Sequence, residues 1–152
     1  MTASNHALTG AVIGLASGIP IIAVPLAVLS HFICDALPHY GATNGDESIG
    51  SNRFRNMVIV DALVCLVLVA VLAVTQPQHW LLAAVCAFAA TSPDLMWIKK
   101  YRQAQKGEAT TRPQPALLRF HAAIQWFERP IGIVFEVFWA TVALILLKVL
   151  II

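Results

Sequence analysis

Charge is what this sequence lacks. Only 12% of its 152 residues are Asp, Glu, Lys or Arg, against about 25% in a soluble domain. Hydrophobic residues make up 59%, and the mean hydropathy is +0.75. This excludes a water-soluble globular fold and predicts an integral membrane protein. The apolar runs do not alternate with polar residues, which excludes barrel strands and leaves helices. The three cysteines, Cys34, Cys65 and Cys86, lie in apolar runs with no C-x-x-C pair. Neither a disulfide nor a thiolate metal site is expected of them. There is no internal repeat, no low-complexity tract, and no basic start with a small-residue cleavage site, so no signal peptide is expected.

What is present predicts an all-α, polytopic helical membrane protein in one domain, with helices at about 5–17, 20–37, 54–75, 79–100, 115–128 and 131–151. The apolar stretch 7–37 is interrupted at Ser17-Gly18-Ile19-Pro20. As one helix it would run about 46 Å, more than a bilayer core requires. Gly caps one helix and Pro opens the next, which predicts a tight hairpin. The first arm is short for a span and fits either a crossing or half of a re-entrant pair. Pro25 is expected to kink the second arm. A polar loop covers 38–53, and a basic linker covers 101–114. Trp80 and Trp97 mark the ends of the fourth helix as interfacial anchors. Residues 115–128 form an amphipathic helix. Its apolar stripe is Leu117, Phe120, Ile124 and Phe127; His121, Gln125 and Glu128 lie on an adjacent polar stripe.

Nine of the ten Lys and Arg residues fall in the connections after the second and fourth helices. The positive-inside rule then gives five membrane helices plus one cytoplasmic amphipathic helix, with the N-terminus cytoplasmic. Folded this way, all eight acidic residues and four of the five histidines share one side, and His79 stands opposite.

The polar residues that interrupt the apolar runs are the candidates for chemistry. His31, Asp35 and His39 follow one another at intervals of four, and His31 and Asp35 share a helix face. Pro38 takes His39 off that helix. His6, His31, Asp35, His39 and His121 are candidate metal ligands. Asp94 is a ligand or general base, and Asp61 is an orienting residue or part of a second metal site. Arg119 and Arg129 are candidates for holding a phosphate. Imidazoles and carboxylates without thiolate suit Zn²⁺, Mn²⁺ or Fe²⁺. Each residue also has a plainer reading. His31 and Asp35 make an ordinary hydrogen-bonded pair, and His6 is an exposed interfacial histidine. Asp61 pairs with Arg53 or Arg55, Asp94 caps a turn or balances Lys99, and Glu128 pairs with Arg129. The basic linker sets topology or meets anionic headgroups.

Three segments carry a family resemblance: Asn5-His6-Ala7-Leu8-Thr9-Gly10, Ser30-His31-Phe32-Ile33-Cys34-Asp35-Ala36-Leu37-Pro38-His39, and Ser92-Pro93-Asp94. Together they resemble the bacterial inner-membrane metal-dependent hydrolases, the YdjM-like proteins. The resemblance implies that His6, His31, Asp35 and Asp94 are metal or catalytic positions. The expected function is a hydrolase at the cytoplasmic interface of a bacterial inner membrane, acting on a phospholipid or lipid-linked phosphoester. Membrane lipids are the expected partners, nucleic acid is not, and self-association is left open. The alternatives are a small proton- or cation-coupled transporter using Asp35, Asp61 and Glu136, or a structural membrane protein with a packed polar cluster.

Overall fold

The computed structural model describes residues 1–41, 51–107 and 115–152. Most of the expected 38–53 loop and the end of the basic linker lie outside the described residues. Among the described residues, seven helices occur in the order α1 (Ala3–Ser17), α2 (Pro20–Ala36), α3 (Asn52–Thr75), α4 (Trp80–Thr91), α5 (Ile98–Gln105), α6 (Ala116–Ile124) and α7 (Gly132–Ile151), with a 3₁₀ segment, Ser92–Trp97, joining α4 to α5. No strand occurs among the described residues, only an isolated bridge between His39 and Glu128.

The α1–α2 hairpin forms as expected. Gly18 ends α1 in the left-handed conformation at φ 62°, and its N–H bonds the Gly14 carbonyl. Pro20 opens α2 at its first turn, where a missing N–H costs nothing. α2 continues through Pro25. Ser51 caps α3 by accepting from the Phe54 N–H at 3.1 Å.

Among the described residues, three helical runs are long and apolar enough to cross a membrane: α3, the continuous run Trp80–Gln105, and α7. The expected five spans are therefore not confirmed. α1 has 15 residues and α2 has 17, about 22 and 25 Å of helix against a hydrocarbon core of about 30 Å. Two further boundaries differ. The fourth helix continues past residue 100 to Gln105, and the amphipathic helix stops at Ile124 rather than 128.

α1 is the hub, packing on α2, α3, α4 and α7. Its approach to α4 depends on Gly10 and Gly14, one turn apart. A Cβ on Gly10 would strike the Cys86 carbonyl, and one on Gly14 would strike the backbone of Ala83. α2 meets the same helix through Ala23 and Ala27 against Cys86, Ala89 and Ala90. Small residues let helix backbones come close where hydrocarbon supplies no hydrophobic drive. Apolar side chains face outward instead, as along α3 and α7, where Leu66, Val67, Val134 and Val149 are all exposed.

Candidate metal centre

The burial pattern of α6 shows how this bundle handles polarity. Leu117 and Phe120, on the apolar stripe, are exposed, whereas His121 is completely buried. The helix turns its imidazole inward and its hydrocarbon outward, as expected where the surroundings are apolar and polar groups must find one another. The interior it faces is a cluster built by four elements. α2 supplies His31 and Asp35, the 3₁₀ segment supplies Asp94, α6 supplies His121, and α1 brings His6 alongside.

Asp35 is the centre. Its Oδ1 accepts from His6 Nε2 at 3.0 Å and from the amino group of Met1. Its Oδ2 accepts from His121 Nε2 at 2.7 Å and from Gln125 Nε2 at 3.1 Å. His31 Nε2 lies 3.4 Å from Oδ2 and 3.0 Å from His121 Nε2. Asp94 Oδ1 completes the group, 3.7 Å from His31 Nε2 and 3.8 Å from His121 Nε2. His6 stacks on His31 with ring centroids 4.0 Å apart. His6, His31, Asp35 and His121 are buried, and Asp94 is one-third exposed.

These distances fit a divalent ion. One donor atom from each of His31, Asp35, Asp94 and His121 lies within 4.8 Å of all the others. Four ligands at about 2.0–2.1 Å around a tetrahedral ion stand about 3.3 Å apart, and five of the six donor pairs lie 2.7 to 3.8 Å apart. His31 Nδ1 donates to the Ala90 carbonyl at 2.8 Å. That fixes its tautomer and turns the Nε2 lone pair into the group, as an outer-shell carbonyl does for a ligating histidine. His121 is held the other way. The indole N–H of Trp97 donates to its Nδ1 at 3.1 Å, so Nε2 keeps a hydrogen and gives it to Asp35. Binding an ion through that Nε2 requires the other neutral tautomer, with the ring proton on Nδ1 and the Trp97 hydrogen bond given up.

The remaining candidates have other positions. Asp61 accepts from the backbone N–H groups of Ala3 and Ser4, the latter at 2.9 Å, and so caps the first turn of α1. Glu136 accepts from Thr2 Oγ1 at 2.6 Å, Asn5 Nδ2 at 3.1 Å and Tyr40 N at 3.0 Å, tying α7 to the segments that carry His6 and His39. His39 is buried but stands apart from the four-residue group, its Nδ1 donating to the Leu37 carbonyl at 2.8 Å. Burial, aided by the positive amino terminus, holds it below the ordinary imidazole value of 6.5. Its carbonyl accepts from Arg129 N at 3.1 Å, so Arg129 contributes backbone here. The Arg129 guanidinium lies over the Phe127 ring at 5.3 Å. Arg119 is exposed, and among the described residues neither arginine side chain contacts the cluster.

Sequence reasoning missed Trp97 and Gln125. Trp97, expected as an interfacial anchor, gives its N–H to His121. Gln125 lies four residues after His121, one turn along the same face, and that spacing was the available signal. Ala90 left none, because its role is a carbonyl. Compared with protein-family models, curated proteins and solved structures, the chain finds no match, and the reading of the site rests on its geometry.

Proposed function

We propose that the chain is a membrane-embedded, metal-dependent hydrolase of the YdjM-like kind, acting on a phospholipid or lipid-linked phosphoester at the cytoplasmic face of a bacterial inner membrane. The observation that carries this reading is the convergence of His31, Asp35, Asp94 and His121 within 4.8 Å, at one end of a bundle with three helices fit to cross a membrane. The clustering of basic residues in two connections supports the cytoplasmic assignment.

In this reading His31, Asp35 and His121 hold a divalent ion. Such an ion supplies Lewis acidity toward a phosphoryl oxygen and a water made acidic near neutral pH. Asp94, the exposed member, faces the side from which substrate arrives and serves as the fourth ligand or as the base that takes a proton from water. His6 and Gln125 orient the Asp35 carboxylate through hydrogen bonds, and Ala90 orients His31. Transport is the weaker reading, because Asp61 and Glu136 are both engaged with the first five residues, at the same end as the cluster. Among the described residues, no ladder of ionisable groups leads from there to His79.

Elemental analysis of the purified full chain tests the reading. About one ion per chain is expected, lost in His31→Ala and in Asp35→Ala and kept in His79→Ala. Hydrolysis of lipid phosphoesters by the loaded protein should disappear in the same two variants. Wild-type protein that takes up no Zn²⁺, Mn²⁺ or Fe²⁺ would sink the proposal.

A further inference from the structure

Immediately after Asp94 the surface changes character. A shallow groove of about 460 Å³ is lined by Leu95, Met96 and Ile98 and by Lys99, Arg102, Gln103 and Lys106. The three basic residues are spaced by three and four, which puts Lys99 and Arg102 on one face of α5 with the C-cap residue Lys106 in line with them, and all are exposed. Lys100 points elsewhere, its ammonium 4.8 Å from the centre of the Trp97 ring. Residues 95–106 contain four basic side chains and no acidic one. Neither Lys99 nor Arg102 has a carboxylate partner among the described residues.

Depth fixes what this face meets. The run Trp80–Gln105 has 26 residues, and about 20 suffice to cross the hydrocarbon. Counted from Trp80, the crossing is complete near Lys99, which leaves the cationic turn of α5 at the level of the headgroups. Leu95 and Ile98, both exposed, sit just below, at the depth of the acyl chains. A cationic face above an apolar one matches an amphiphile with an anionic head. A zwitterionic head brings no net charge to it, and a free anion leaves the apolar part unused.

We propose that Lys99, Arg102 and Lys106 form a binding site for the headgroup of an anionic phospholipid, with Leu95 and Ile98 against its chains. This site is separate from the metal cluster and does not depend on hydrolysis there. The delipidated full chain in a neutral detergent, titrated with phosphatidylglycerol or phosphatidylcholine and read by native mass spectrometry, tests it. Phosphatidylglycerol should be retained in preference to phosphatidylcholine. Replacing all three residues (Lys99→Gln, Arg102→Gln, Lys106→Gln) should weaken it on the order of 100-fold, while Arg55→Gln leaves it unchanged. If the triple variant does not fold, Arg102→Gln alone should still give a several-fold loss. Equal retention of the two lipids would overturn the proposal, as would retention unaffected by the substitutions. Displacement of phosphatidylglycerol by millimolar inorganic phosphate would reduce the site to an anion patch and overturn it as well.

Discussion

A carboxylate buried in a helix bundle must have every lone pair answered, since each unanswered one costs about 1–3 kcal/mol or more when charged. Asp35 meets this with the Met1 amino group, His6, His121 and Gln125. The same saturation makes ion binding a competition with existing hydrogen bonds, and Trp97 is where it is most open to test. Trp97→Phe keeps a ring but removes the donor that holds His121 Nδ1 as an acceptor. It should raise Zn²⁺ affinity severalfold in equilibrium dialysis, and unchanged or weaker binding would show that the indole does not oppose loading. Asp61 makes a contrasting case. Asp61→Asn loses the charge-assisted cap on Ala3 and Ser4 and should cost about 1–2 kcal/mol, read as a lower unfolding midpoint. The ion content of the folded fraction should not change. A loss of ion in proportion to that of Asp35→Ala would instead make Asp61 part of the centre.

Among the elements, α1 decides the architecture, and its two glycines decide α1. Gly10→Val would drive a branched side chain into the Cys86 carbonyl. Overpacking of this kind costs about 1–3 kcal/mol, and because α1 carries His6 and the capped N-terminal turn, the damage should reach the cluster. The expected outcome is a lower unfolding midpoint together with weaker ion retention. Ala11→Gly, which removes a methyl without adding bulk, should lower stability alone. The hairpin break at Gly18 and Pro20 was legible because each residue has a local backbone reason to be there. The glycine seam was not, because its reason is a different helix. The α6 stripe was legible as a stripe but not in its direction. Periodicity separates two faces without saying which one meets the interior, and here the buried face is the one that carries His121.

For the whole molecule, the closing contact is the pairing of residues 39–41 with the start of the last helical segment. His39 O accepts from Arg129 N, and Gly41 N donates to the Arg129 carbonyl. The buried neutral His39 makes this closure sensitive to acid. Its folded value lies below the unfolded 6.5, so the unfolded chain takes up the proton first. Stability is therefore full above about pH 6.5 and falls as pH drops toward the folded value. Unfolding midpoints measured between about pH 7.5 and 5 should fall on the acid side. His39→Asn, which keeps a donor for the Leu37 carbonyl, should flatten that limb; an equally steep fall in the variant would assign it to other groups. By itself the sequence determined the helical class, the membrane setting and the candidate residues, because these follow from composition, run length and the cost of polar groups among apolar ones. Tertiary structure decided the rest. It brought His31, Asp35, Asp94 and His121 to one point and set His39 aside. It turned Asp61 and Glu136 into clamps for the first five residues and gave Trp97 to His121. The physical reason is that a ligand set, a tautomer and a backbone acceptor are properties of distances between elements, and no single stretch of chain contains them.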